Sequence, residues 1–175
     1  MLKELSMLIR LLQEADLPAI CQIYNQGIGS GNATFETRLR TEAELHSWLE
    51  QLEQYPVLVL EQQGRVTGFA ALSSYRSRDC YQGIAEFSIY LDCAAQGKGY
   101  GLPLLQALLH QAQQQGFWKV LSRIFTFNSA SRALCKKAGF REVGIYEKHA
   151  QLKGQWLDVA IVEYLIPTNQ NGEQQ

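Results

Sequence analysis

Two stretches hold residue types that chemistry uses. Residues 96–101 read Gln-Gly-Lys-Gly-Tyr-Gly, between a strand-like apolar run at 85–91 and a helix-like run from 102 to about 115. The first N–H groups of a helix have no partner within it, and the helix dipole adds to their pull on an anion. Glycines remove the Cβ atoms that would hold a phosphate away from the backbone. The spacing therefore predicts a phosphate or pyrophosphate cradle, with a ligand-free glycine turn as the bland alternative. The second stretch is Ala-Glu-Phe-Ser-Ile-Tyr-Leu, 85–91. Alternation puts Glu86, Ser88 and Tyr90 on one face and Phe87, Ile89 and Leu91 on the other. A carboxylate in such a strand is costly unless hydrated or paired. Glu86 is then either an acid bonded to an arginine such as Arg76 or Arg78, or a general base able to take a proton from an ammonium group.

The ligand of the glycine turn is narrowed by what the turn lacks. A Walker A loop needs GxxxxGK[ST], and a dinucleotide fingerprint needs GxGxxG with an acid about 20 residues further on. This chain has GxGxG, followed by Trp-Lys-Val-Leu-Ser-Arg. A phosphorylated nicotinamide held by Arg123 is a weak alternative. His46, His110 and His149 are scattered, and Cys21, Cys80, Cys93 and Cys135 form no CxxC pair. No metal is implied, and free thiols are favoured over disulfides or zinc.

The elements that must position these groups follow from pattern. Residues 8–13 read as a strand, and Asp16 as the cap of a helix whose apolar face holds Leu17, Ile20, Cys21, Tyr24 and Ile28. Residues 29–38 read as a loop. Thr41 and Glu44 form a capping box for a second helix. Strands at 57–61 and 65–74 make a hairpin, followed by a basic, aromatic loop at 75–83 and the strand 85–91. After the glycine turn and its helix come a strand at 119–125 and a helix capped by Asn128 or Ser129 and stopped at Gly139. Strands at 141–149 and 155–166 close the chain. The order β-α-α-β-β-β-α-β-α-β-β predicts an α/β domain with a mixed sheet and helices on both faces. One domain spans 1–167, and a polar, frayed tail is expected at 168–175.

Composition sets outer bounds. The chain has 175 residues, 46% hydrophobic and 19% charged, with a formal net charge of −1. That is enough for one core, and it gives no encouragement to a nucleic-acid partner. No apolar run approaches the roughly 20 residues of a membrane span, and the start is too broken by charge for a signal peptide. A cytoplasmic protein is expected.

The glycine turn matches Q/R-x-x-G-x-G/A, and in this position it resembles the acetyl-CoA pyrophosphate loop of the GNAT N-acetyltransferase superfamily. Residues 85–91, 128–140 and 154–166 resemble the phosphinothricin and methionine sulfoximine acetyltransferase branch, and 32–38 resembles its first substrate loop. The resemblance covers nearly the whole chain. It implies a splayed central sheet of about seven strands and acetyl-CoA as co-substrate. It implies Glu86 as the base, acting through water. It implies that Gln96, Gly97, Lys98, Gly99, Tyr100 and Gly101 hold the diphosphate, and that Ile89, Tyr90, Leu91, Asn128 and Ser131 hold the pantetheine arm. Arg76 or Arg78 would bind an acidic group of the acceptor, with Tyr75, Tyr81 and Phe35 as pocket walls. Where relatives place a tyrosine or histidine to protonate the leaving thiolate, this chain has Cys135; packing is favoured there over proton donation. Asp158 falls in a family Trp-x-Asp-Val stretch and would tie loops together or line the acceptor mouth. A homodimer is implied. The expected reaction is acetylation of the α-amine of a small amino acid or toxic analogue. The alternatives are an acetyltransferase for a protein N-terminus or a polyamine, or a non-catalytic acyl-CoA sensor.

Overall fold

The computed structural model describes residues 7–170. Seven strands form one mixed sheet in the order β1-β2-β3-β4-β5-β7-β6. In chain order they are β1 (Met7–Leu11), β2 (Val57–Gln62), β3 (Arg65–Ser74), β4 (Ile84–Leu91), β5 (Lys119–Phe125), β6 (Arg141–Leu152) and β7 (Gln155–Leu165). Four helices join them: α1 (Leu17–Ser30), α2 (Glu42–Glu50), α3 (Gly101–Gln114) and α4 (Ser129–Lys137).

The two faces follow from strand alternation. Val57 and Val59 of β2, with Phe69 and Ala71 of β3, pack with Ile20 and Ile23 of α1 and Leu45 of α2. Their neighbours Leu58, Leu60, Ala70 and Leu72 face the other way, onto Leu104, Leu105 and Leu108 of α3. On β4 the same period sends Ala85 and Phe87 to the α3 side, and therefore Glu86, Ser88 and Tyr90 to the α1 side. A carboxylate expected in an apolar strand thus lies on the face where α1 and its following loop leave room.

Local signals acted as expected at most ends. The Thr41–Glu44 capping box is formed. The Asn128 side chain caps α4 by accepting from the Ser131 N–H. Gly139 takes the left-handed conformation, φ 96°, beyond α4. Two points differ. Asp16 stands at the N-cap of α1 but makes no side-chain cap there. It is nearly buried and accepts from both terminal nitrogens of Arg10, at 2.7 and 2.9 Å. Arg10 holds its carboxyl below the usual range against the opposing cost of burial. The first residues of the polar tail expected from 168 are held in place. Pro167–Asn169 forms a 3-10 turn. Thr168 accepts from Gln113, and Asn169 donates to the carbonyls of Gln113 and Phe117, each within 3.0 Å. Residues 171–175 lie outside the described residues. None of the helices among the described residues is long and apolar enough to cross a membrane.

Candidate active site

The site begins as a fault in the sheet. β4 and β5 run parallel but pair only at Ile84–Lys119, Ala85–Val120 and Glu86–Leu121. Beyond that point β4 stays with β3 up to Leu91, and β5 stays with β7 up to Phe125. Each strand keeps its outer partner, so the inner edges separate into a V. The Ser122 hydroxyl donates to the Phe87 carbonyl at 3.0 Å and pins the apex.

Strand geometry decides which backbone groups face the opening. Asp92 N–H bonds Thr67 O at 2.8 Å, so Tyr90, two residues back, also turns its N–H and C=O to β3, opposite Phe69. Ile89 and Leu91 turn theirs to the V. Tyr90 was expected to hold a cofactor arm through its backbone with them; the ladder with β3 takes that backbone, and Tyr90 contributes its side chain instead. The Leu91 carbonyl accepts from the Gln96 side chain at 3.1 Å, which fastens the glycine turn to the strand end. The V encloses a cavity of about 90 Å³ reached by Ile89, Ser122, Asn128, Ser131 and Cys135.

At the mouth of the V, Gly97 and Gly99 have φ of 72° and 83°, and a Cβ on either would meet nothing within 4 Å. These two glycines are required by backbone conformation, and their exposed side is open to a ligand. Gly101 has a different reason. It opens α3, and a Cβ there would lie 3.2 Å from Leu134 of α4. It therefore sets how closely the two helices pack. The Gly101 and Leu102 N–H groups begin the helix without a side-chain cap. Lys98 is exposed beside them, and Tyr100 packs against the core. An open, uncapped helix start below two left-handed glycines fits a diphosphate.

Glu86 sits at the apex, its side chain 20% exposed. Its partner is neither Arg76 nor Arg78. The Arg123 Nη2 of β5 donates to both carboxylate oxygens, at 2.9 and 2.8 Å. Both residues line an open pocket of about 620 Å³ on the α1 side, with Tyr24, Phe35, Glu36, Tyr90 and His149.

The pocket wall is a hydrogen-bonded unit. Tyr24 donates to Glu36 at 2.6 Å, and Arg40 pairs with the other Glu36 oxygen. Desolvation would raise the Glu36 carboxyl, but the Arg40 and Tyr24 hydrogen bonds together outweigh it and hold it low. Burial pushes the Tyr90 phenol up to about 12. The 31–40 loop is anchored twice: Asn25 bonds the backbone N–H and carbonyl of Arg40, and the Asn128 amide donates to the Asn32 carbonyl at 3.1 Å. Both ends of the Asn128 side chain are thus engaged within the protein, as helix cap and as loop tie. Across the pocket, β6 bulges between Tyr146 and Ala150. Asp158 accepts from the Lys148 N–H at 2.7 Å and holds that bulge, which presents His149.

Phe35 stands with Glu86 in this pocket, its ring edge-on to Phe125 at 4.7 Å. Tyr75 and Arg76 do not. They line a separate pocket of about 440 Å³ with Tyr81, Tyr55 and Phe117, and the Arg76 guanidinium lies 5.1 Å from the Tyr75 ring centre. Arg78 lines neither pocket. Cys135 is buried against the V, and burial raises its thiol to about 12. Arg123, Glu36, Tyr24 and His149 are the pocket residues that sequence reasoning did not assign here. Strand parity already placed Glu86 on the α1 face. The register that brings Arg123 to it, two residues beyond Leu121 on β5, has no sequence signal.

A split parallel pair with a carboxylate at its apex and a glycine turn at its mouth is the framework of an enzyme that transfers an acyl group from a nucleotide-bearing thioester. The chain belongs to the GNAT acetyltransferases: the acetyltransferase (GNAT) domain family matches residues 9–161. It is an N-acetyltransferase. It is 35% identical over 159 residues to the L-methionine sulfoximine/L-methionine sulfone acetyltransferase of Salmonella typhimurium, covering 90% of this chain and 93% of that protein. The phosphinothricin acetyltransferase of Sinorhizobium meliloti, solved in complex with acetyl-CoA, superposes with a TM-score of 0.86 at 32% identity, covering 91% of this chain and 88% of that one. The ribosomal-protein-alanine N-acetyltransferase of Brucella melitensis superposes with a TM-score of 0.87 at 34% identity, covering 91% and 99%.

Proposed function

We propose that this chain transfers the acetyl group of acetyl-CoA to the α-amine of a small amino acid or a toxic analogue such as phosphinothricin, methionine sulfoximine or methionine sulfone. The observation that carries the reading is the V itself, with Glu86 at its apex and unpaired β4 backbone leading from it to the glycine turn. Acetyl-CoA supplies a thioester carbonyl that an unprotonated amine can attack. The backbone of 97–101 would grip its diphosphate. The edge groups of Ile89 and Leu91 would hold its amide-bearing arm, as an added strand is held, and one of their N–H groups would polarise the carbonyl. Asn128 and Ser131 border the same cavity. Glu86, through water, takes the ammonium proton, so that transfer is direct in a ternary complex. Buried at a raised pKa, the Cys135 thiol is a poor acid, and water at the open V serves the leaving thiolate.

The 31–40 loop, anchored at Asn25 and Asn128 as one wall of the pocket, favours a small acceptor. A peptide N-terminus is the second reading, favoured by the likeness to the Brucella enzyme. A CoA-release assay over free amino acids, the three analogues, a peptide and a polyamine separates them; turnover confined to the peptide sinks the first reading. The exposed thiols Cys80 and Cys93 fit a reducing, cytoplasmic setting. Exposed Val143, Ile145, Tyr146 and Trp156 on β6 and β7 fit pairing with a second copy. Light scattering tests that: a monomer at micromolar concentration removes it.

A further inference from the structure

The proposed acceptor is a zwitterion: Glu86 is the partner of its ammonium, and its carboxylate needs a cation. The loop arginines Arg76 and Arg78 do not supply one at Glu86, since neither lines its pocket. The other cation on the loop side, Arg40, is committed to Glu36. His149 is the remaining ionisable basic group in the wall. Arg123 stands apart. It holds Glu86 through Nη2 alone. Its Nε and Nη1 make no hydrogen bond among the described residues, and its side chain is 51% exposed, facing the pocket.

We infer that Arg123 is the acceptor-binding residue that takes the α-carboxylate, so that the Glu86–Arg123 pair recognises both charges of an α-amino acid. This rests on the proposed α-amine acetylation. One guanidinium nitrogen holds the base while one of the two unused donors, Nε or Nη1, receives the carboxylate in a charge-assisted hydrogen bond. In an α-amino acid only one carbon separates the two charged groups. A carboxylate on Nε or Nη1 therefore brings its own ammonium beside the carboxylate held on Nη2. The pocket stays electrically balanced throughout: two carboxylates, Glu86 and Glu36, face two guanidiniums, Arg123 and Arg40, and a neutral zwitterion adds no net charge. An amine without an adjacent carboxylate leaves the Arg123 donors unmatched, which gives selectivity by an unpaired polar group.

The test compares the best free amino acid of the panel with its own carboxamide, for the wild type and for Arg123→Gln, Arg123→Lys, Arg76→Gln and Arg78→Gln. In Arg123→Gln the acid-to-amide ratio of kcat/KM should fall roughly 10- to 150-fold, the range of a charge-assisted hydrogen bond, mainly through the KM of the acid. Arg123→Lys should recover part of the ratio. Calorimetric titration of the acid should show the same weakening in Arg123→Gln, and a thermal shift on adding acetyl-CoA shows that the variant is folded. If acid and amide lose activity equally, Arg123 only orients Glu86 and the inference fails. It fails too if the ratio collapses in Arg76→Gln or Arg78→Gln instead. A wild type that binds acetyl-CoA but acetylates no free amino acid overturns the acceptor class, and this inference with it.

Discussion

The two ends of strand β4 are built for different work. Ile84 is paired to β5, and Ala85 and Glu86 are paired on both edges, to β3 and to β5. The Gly83 carbonyl just before it accepts from Trp118 N–H at 2.8 Å. From Phe87 to Leu91 only the β3 edge is paired. In the proposed reaction the chemical group at the closed end is a side chain, Glu86, and the paired backbone fixes where it points. At the open end the proposed chemical group is the backbone itself, and side chains mostly serve packing. A reactive acid needs a rigid mount, whereas a ligand arm needs unsatisfied hydrogen-bonding groups, and breaking one strand pair halfway provides both within eight residues.

If that division holds, side-chain changes at the closed end and backbone changes at the open end should fail in different kinetic parameters. Glu86→Gln should lower kcat about 10²- to 10⁴-fold, a usual general-base contribution. It should leave acetyl-CoA affinity nearly unaltered by calorimetry. Unchanged turnover would remove Glu86 as the base and leave the closed end a structural clamp. Gly99→Val should do the reverse. A β-branched residue at φ 83° costs about 1–2 kcal/mol. The KM for acetyl-CoA should therefore rise roughly 5- to 30-fold, converting that cost at 1.4 kcal/mol per tenfold, with kcat little changed. A fall confined to kcat would mean that the turn does not hold the nucleotide.

The sequence displayed the frame more clearly than the acceptor pocket. Strand alternation put Glu86 and Tyr90 on one face, and three glycines in a strand-to-helix turn marked the open end. Both are local signals, carried by residues adjacent in the chain. The bare Cα of Gly101 reads as room for a ligand, yet the space it leaves is taken by Leu134, since a missing side chain reads the same whether ligand or helix needs the space. By sequence Arg123 suits only a nicotinamide phosphate, because nothing local reports that β5 brings it to Glu86, 37 residues away. The Tyr24–Glu36–Arg40 unit joins a helix to a loop. Tyr75 reads as a pocket wall and Arg76 as a donor to the acceptor's acidic group, but the end of β3 carries them to a different cavity.

Cys135 tests how dry the open end is. Burial lifts its folded-state thiol from 9.0 to about 12. The folded protein thus favours the protonated form more than the unfolded chain does. That contribution to stability is complete below about pH 9 and is lost as pH rises toward 12. Chemical denaturation across that window should show a steeper decline than in Cys135→Ala, where the Tyr90 phenol, also raised to about 12 by burial, still contributes. The same variant should keep turnover within about threefold at neutral pH, because a thiol so reluctant to ionise contributes little as a proton donor. A loss of tenfold or more would restore it as the acid for the leaving thiolate.

The smallest expected effect falls at the boundary between the two ends. Ser122 donates to Phe87 O just beyond the last rung between β4 and β5. Without the hydroxyl, that carbonyl must turn to water entering the V. Ser122→Ala should cost about 1 kcal/mol, the usual net value of one hydrogen bond. For a domain of this size that lowers Tm by roughly 2–4 °C. The informative reading is the comparison with activity. If the pin also sets where the strands part, Glu86 sits less firmly, and kcat should fall several-fold while the KM for acetyl-CoA stays put. If Tm drops and kcat does not, the three rungs alone hold the apex, and Ser122 is a stabilising contact with no part in dividing the strand.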